Sequence, residues 1–223
     1  MSPLSGARRK GCVGLGTLLL LASSAAMAEP PRIDPDLLPV SLEESDWREI
    51  ELGRTFVHLA EEPGSAVKKG VAITVIDQDP ERVFRVVTDN EHFAEFMPRV
   101  KRSTVEAGAD GSPINHQELK LPFVKDREFK VRISNSVTER EGEQIWRSAW
   151  THVKGFGNIE DTTGSWTLLE YGEHRTLVIY EVLTDPGGSI PRYLKNLATK
   201  RTLPALLDSV RERARDPRYA TDL

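Results

Sequence analysis

The strongest constraint on this chain is the order of its elements toward the end: a long strand-rich stretch closed by one late helix. Between Val100 and Asp185, short β-branched or aromatic runs alternate with turn signals at 108–113, 125–126, 139–142, 155–158 and 171–173. No good helical period appears there. Residues 185–215 then read as the only long helix. Asp185-Pro186-Gly187-Gly188 is a turn, since proline presets φ and glycine allows positive φ. Ser189 follows as N-cap, its hydroxyl free to accept from the first unpaired N–H groups. Ile190, Tyr193, Leu194 and Leu197 recur at the spacing of one apolar face. Leu203, Leu206, Leu207, Val210 and Ala214 fall on the opposite side of the helical wheel, with Pro204 between. An interior proline kinks or breaks a helix, so two segments are expected, a gate-like first half and a structural clasp. A sheet that closes around one late helix is a container, and its contents become the functional question.

Upstream, Pro30, Pro31, Pro35 and Pro39 make residues 29–46 an extended arm. Residues 47–59 look strand-like through Ile50, Leu52, Phe56 and Leu59, interrupted by Gly53, and 66–77 form a second strand with Val71, Ile73 and Val75 on one face. Asp79 as N-cap and Pro80 at the first helical position open a helix whose apolar stripe is Val83, Phe84 and Val87. A shorter turn over 91–96 ends at Met97-Pro98. Strands are expected at 99–107, 114–121, 127–138, 144–152, 160–169 and 174–184. In the third of these Phe129, Val131 and Ile133 alternate with Glu128, Lys130 and Arg132, as one buried face requires. The fold class is therefore α+β: a curved, mostly antiparallel sheet wrapped around a long C-terminal helix, with two short helices after the second strand.

Residues 1–28 read as a signal peptide. Arg8, Arg9 and Lys10 form a positive head, residues 13–22 a short apolar run, and Ala26-Met27-Ala28 a small-x-small cleavage site. The run is shorter than the ~20 apolar residues a bilayer demands, which disfavours the alternative of a retained anchor. Lys10-Gly11-Cys12 follows the arginine pair where twin-arginine export wants an apolar residue, so ordinary secretory export is expected, to the periplasm or medium. Cys12 is the only cysteine, which excludes disulfides, thiol nucleophiles and Cys-based metal sites from the mature chain. The formal net charge is −4, and cleavage removes basic residues only, so nucleic acid is a poor partner. The expected division is 1–28 signal, 29–46 arm, 47–216 one folded domain and 217–223 a tail.

Several segments, taken in order, resemble the START-like (StAR-related lipid-transfer, SRPBCC) superfamily, whose fold is called the helix grip. They are Asp77-Gln78-Asp79-Pro80-Glu81-Arg82-Val83-Phe84, then residues 88–98, then Leu121-Pro122-Phe123-Val124-Lys125-Asp126-Arg127-Glu128, with Glu128 where the family usually has Asp. Gly164-Ser165-Trp166 and the run from Tyr180 through Asp185-Pro186-Gly187-Gly188-Ser189-Ile190-Pro191 complete the set. The likeness covers residues 47–215. It implies a hydrophobic tunnel for sterols, phospholipids, carotenoids, quinones or polyketides. Most such proteins carry a lipid unchanged, while some wider relatives are cyclases or aromatases. The expected partner is accordingly a hydrophobic small molecule or lipid, with no cofactor and a monomeric chain.

Arg127 shares the inward parity of Phe129, Val131 and Ile133. A buried guanidinium needs a partner, and Glu118 and Glu181 are candidates. Arg127 then either anchors a ligand carboxylate, phosphate or hydroxyl, or makes a structural salt bridge. Trp146 and Trp150 share a strand face with His152, and Trp166 and Tyr180 lie on the last two strands; they either shape a cavity or fill a core. His58, His92, His116, His152 and His174 are too scattered for a metal site, though His116 and His152 could act as bases in a cyclase-like relative. No nucleophile-elbow, Walker or dinucleotide motif is present. The last helix region carries Arg192, Lys195, Lys200, Arg201, Arg211, Arg213, Arg215 and Arg218 against Asp208, Glu212 and Asp216. That suits transient membrane contact or a solvated face. The ligand-binding set expected from sequence is Met97, His116, Glu118, Arg127, Trp146, Trp150, Trp166, Tyr180, Ile190 and Leu194, with no catalytic residue and no metal. The expected function is a lipid carrier without chemistry; the competing class is a cyclase, aromatase or hydrolase using His and Tyr.

Overall fold

The structure, a computed structural model, describes residues 33–65, 67–121, 125–188 and 192–220, with the side chains of 192–200 outside that description. The expected signal segment and its cleavage near Ala28, the Ser189 cap, Ile190 and the Leu194 side chain therefore lie outside the described residues. The strands are β1 Phe56–Ala60, β2 Lys69–Ile76, β3 Val100–Ala107, β4 Pro113–Leu119, β5 Arg127–Arg140, β6 Glu143–His152, β7 Asp161–Glu170 and β8 Thr176–Asp185. They form one sheet in the order β1-β2-β8-β7-β6-β5-β4-β3, every neighbouring pair antiparallel. After β2 the chain crosses to the far edge through helices α2 Pro80–Thr88 and α3 Phe93–Phe96. It then meanders back until β8 pairs with β2, and α4 Arg192–Arg213 follows. The sequence-based fold class is the observed one.

Two apolar layers hold the sheet. On one face, Ala72 and Ile76 of β2, Leu168 of β7 and Val178 of β8 pack with Val83, Val86 and Val87 of α2 and with Leu203, Leu207 and Val210 of α4. On the other, Val71, Ile73 and Val75 join Leu169, Tyr171, Leu177 and Ile179 under a cover of Leu37, Leu38, Val40 and Trp47. Strands buried on both faces read as continuous apolar runs, which is why β2 and β8 show little alternation.

That second layer corrects two expectations. Residues 47–59 are not one strand: α1 spans Glu44–Glu51, and β1 begins only at Phe56. Asp46 accepts the Glu43 backbone N–H at 2.9 Å in a capping box. Trp47 stacks on Tyr171 with ring centroids 6.2 Å apart, and Ile50 is fully buried one turn on. The i, i+3 pair wins over the apparent strand pattern because both side chains find the same apolar face. The expected extended arm, in turn, is not extended throughout: it turns at Pro35–Leu37, its last residues belong to α1, and Ile33, Leu37, Leu38, Val40 and Leu42 pack on the sheet.

Helix α4 also departs from expectation. It runs unbroken from Arg192 to Arg213 with Pro204 inside it. An interior proline costs a helix ~3 kcal/mol. Here buried Leu203 on one side and Leu207, Val210 and Ala214 on the other hold the chain helical across it. The clasp face inferred from the wheel is thus buried, but as part of one helix.

Beyond α4, the Tyr219 hydroxyl donates to Asp89 Oδ2 at 2.6 Å, and Arg213 Nε donates to the same hydroxyl at 3.0 Å. Burial pushes the Asp89 carboxyl up, but hydrogen bonds from Tyr219 and His92 outweigh it and hold the group below its ordinary value. A carboxyl depressed in the folded state contributes stability above its unfolded pKa of ~3.9, lost as pH falls through the lower folded value. Tyr219→Phe is therefore expected to cost about 1 kcal/mol at neutral pH, with the cost shrinking below about pH 4. Urea melts at the two pH values check this; an equal cost at both would refute it.

Candidate ligand cavity

Between the sheet and α4 lies a cavity of about 520 Å³. Phe129, Val131 and Ile133 of β5 line one wall, since a strand sends alternate side chains to one face. Ile133 is in register with Trp150 of β6, and Trp150 with Gly164 of β7. A Cβ on Gly164 would stand 2.3 Å from the Trp150 ring, so glycine at this position lets the indole lie across β7. Trp166 and Tyr180 are paired in register on β7 and β8 with ring centroids 4.3 Å apart, and Trp150 lies 5.7 Å from Tyr180. Leu203 and Leu206 of α4 and Val87, Phe93 and Met97 around α2 and α3 complete the lining.

The polar groups at this cavity are mostly uncharged. Tyr180 is 7% exposed, burial pushes its phenol well above the ordinary range, and its hydroxyl makes no hydrogen bond to a described residue. The hydroxyls of Thr162 and Thr184 bond each other at 2.8 Å. Asn90 accepts from Asn115, which in turn accepts from Ser103. Arg127 is only 8% exposed; its Nε donates to the Pro186 carbonyl and its Nη1 to the Lys125 carbonyl, both at 2.7 Å.

Met97, Arg127, Trp150, Trp166 and Tyr180 from the sequence-based set border the cavity. His116, Glu118 and Trp146 do not. His116 Nε2 lies 2.8 Å from Glu128 and edge-on to Phe156, and Glu118 pairs with Lys101 at 2.6 Å. In register, His116 faces Lys130 and Glu118 faces Glu128, the polar parity of β5, whereas Leu119 faces Arg127. One residue of register puts Glu118 on the opposite sheet face from Arg127. Glu181 pairs with Lys69. Both expected carboxylate partners of Arg127 are thus corrected to backbone carbonyls. Trp146 packs against the main core instead. The His152 side chain is buried outside the lining, its Nδ1 3.4 Å from Asp161 Oδ1.

The cavity also uses residues the sequence reading passed over. Val182 and Thr184 continue the parity of Tyr180, and Thr162 that of Trp166, so period two alone would have found them. Arg99 and Ile159 sit before strands, where no period points. Among the described residues no group of His, Cys, Asp or Glu could hold a metal ion, and no helix is long and apolar enough to cross a membrane. Of the basic residues near the C-terminus, Arg211 donates to Gly53 and Thr74, Arg213 and Arg218 pair with Glu95, and Arg215 pairs with Glu212.

A sequence model of the family described as "Polyketide cyclase / dehydrase and lipid transport" matches residues 76–211. A search of curated proteins finds no significant match. Among solved structures, a STAR-related lipid transfer protein from Xanthomonas axonopodis superposes with a TM-score of 0.62 at 22% identity, covering 73% of this chain and 94% of that one. The human StAR-related lipid transfer protein 5 gives 0.65 at 12% identity over 74% and 84% of the two chains. The Zhui aromatase/cyclase from a Streptomyces species gives 0.52 at 12% identity over 71% and 94%. At these identities the likeness is one of fold: the START-like helix grip.

Proposed function

This chain belongs to the polyketide cyclase/dehydrase and lipid-transport family, and from that premise we propose that it binds a hydrophobic ligand in its cavity and carries or sequesters it without chemistry. The observation that carries this reading is the composition of the wall. Among the described lining residues there is no Asp, Glu, His, Cys or Lys; the ionisable ones are Arg99, Arg127 and Tyr180. General acid–base catalysis wants a group that titrates near working pH. The Tyr180 phenol, pushed up by burial, does not, which weighs against the cyclase or aromatase alternative. His116, the base that alternative would favour, is tied to Glu128 outside the lining.

The cavity volume falls in the ~300–1,000 Å³ usual for small-molecule sites. An apolar body entering it gains ~25 cal/mol per Å² of apolar area removed from water. Ingress is at the joint between β8 and α4, where Gly187 and Gly188 both hold positive φ, a backbone that glycine adopts without the strain a side chain would bring. With the N-terminal leader, the protein acts as an exported carrier.

Native mass spectrometry after gentle purification tests this, with an intact co-purifying lipid as the expected result. Ile133→Trp, which fills the cavity from the middle of β5, should reduce retained ligand at least about ten-fold, or ~1.4 kcal/mol, while the melting temperature holds. An empty protein that binds no apolar probe would overturn the reading, as would turnover of a bound polyketide or ester.

A further inference from the structure

Resting on the carrier reading above, we propose that the ligand is an anionic amphiphile: its carboxylate or phosphate is held by Arg127, with Arg99 at the rim, and its tail lies against the aromatic wall. The argument starts from an imbalance of charge. The chain has 34 Asp and Glu against 30 Lys and Arg. Yet the charged residues among the described lining are two arginines and no acid.

Arg127 is the buried one of the two. Taking an ion out of water costs several kcal/mol unless it is paired. Its Nε and Nη1 bonds to carbonyls satisfy donors without cancelling the charge. A guanidinium offers five N–H donors in a fixed fork, and Nη2 makes no hydrogen bond to a described residue. That nitrogen lies beneath Gly188, 3.6 Å from where a Cβ there would stand. The acids that might have neutralised Arg127 are committed elsewhere, Glu118 to Lys101 and Glu181 to Lys69. A ligand anion supplies the missing charge and can take the free donors, the pairing in which a charge-assisted bond is strongest.

Placement agrees. Arg127 is in register with Leu119, and Leu119 with Val100, the neighbour of Arg99, so both arginines mark one end of β3, β4 and β5. Ile133 and its register partner Trp150 stand six residues along β5 from that end. The container is therefore polarised along the strands: cationic at one end, apolar and aromatic beyond. That is the distribution of an amphiphile with one charged head.

The test is displacement of Nile red, a neutral apolar probe, from the full chain by three sixteen-carbon compounds: palmitate, hexadecyl phosphate and hexadecanol. At least one anion should bind about ten-fold or more tighter than the alcohol, and which one does so identifies the head as carboxylate or phosphate. Arg127→Gln should bring that anion down to the alcohol measured on the same variant, and Arg127→Lys should keep part of the preference. Arg99 is exposed, so Arg99→Gln should fold normally and weaken the anion alone. Equal affinity for anions and alcohol in the wild type overturns the proposal by itself, even if Arg127→Gln fails to fold. So does a preference that survives Arg127→Gln undiminished. Displacement by all three compounds equally leaves the carrier intact and removes only the anion; displacement by none removes both.

Discussion

Leu207→Ala is expected to lower the stability of the folded chain by about 3 kcal/mol, within the 2–5 kcal/mol seen when a fully buried leucine is truncated. Leu207 is fully buried and sits where α4 meets the main core, beside Leu203, Val210 and Ala214. For a domain of this size that loss corresponds to a fall of roughly 6–12 °C in melting temperature. Leu206, the adjacent residue, is only half-buried and borders the cavity, so Leu206→Ala should cost about 1 kcal/mol and act mainly on ligand affinity. Denaturant melts of the two variants separate the roles of neighbouring residues on one helix. Equal losses would mean that α4 is not anchored through Leu207.

Gly164→Ala should be comparably damaging for a different reason. The added Cβ would stand 2.3 Å from the Glu181 carbonyl oxygen and 2.3 Å from Trp150 Cζ2. The indole has some freedom to swing; the carbonyl belongs to β8 and moves only if β7 and β8 separate. Overpacking of this kind costs about 1–3 kcal/mol, and a backbone obstacle places it at the upper end. Because Trp150 lines the cavity, the variant should also show altered tryptophan emission and weaker binding of an apolar probe. A melting temperature within about 2 °C of wild type would contradict the close approach.

Much of this was legible in the chain because half-buried strands advertise themselves. Phe129, Val131 and Ile133 alternate with charged neighbours, and that parity alone points Arg127 to the interior face that the cavity occupies. The partners of Arg127 were not legible. Main-chain carbonyls such as those of Pro186 and Lys125 leave no signature in side-chain chemistry, whereas Glu118 and Glu181 did, and drew the wrong inference. Glu118 also shows how much a single position of register decides, since it moves a side chain across the sheet. α1 was hidden for lack of length: two turns carrying only Trp47 and Ile50 as apolar contacts look no more helical than extended. Pro204 misled in the opposite direction, because a local penalty says nothing about the packing that outweighs it.

The arm and α1 on the outer face of the sheet govern how this protein can deform. A sheet with a bare outer face can flex, changing its curvature and the space beneath it. Here Trp47, Ile50 and the apolar residues before them brace β2, β7 and β8 from behind, like ribs on a hull. Arg140 at the far end of β5 is also tied to the arm, through Asp34 and Asp36. Any swelling needed to admit a bulky molecule must then come from the helical side or from β3, β4 and the Arg127 end of β5. Stripping residues 33–52 would release the brace, and the expected signature is faster amide exchange in β2 and β8 before any change in β5.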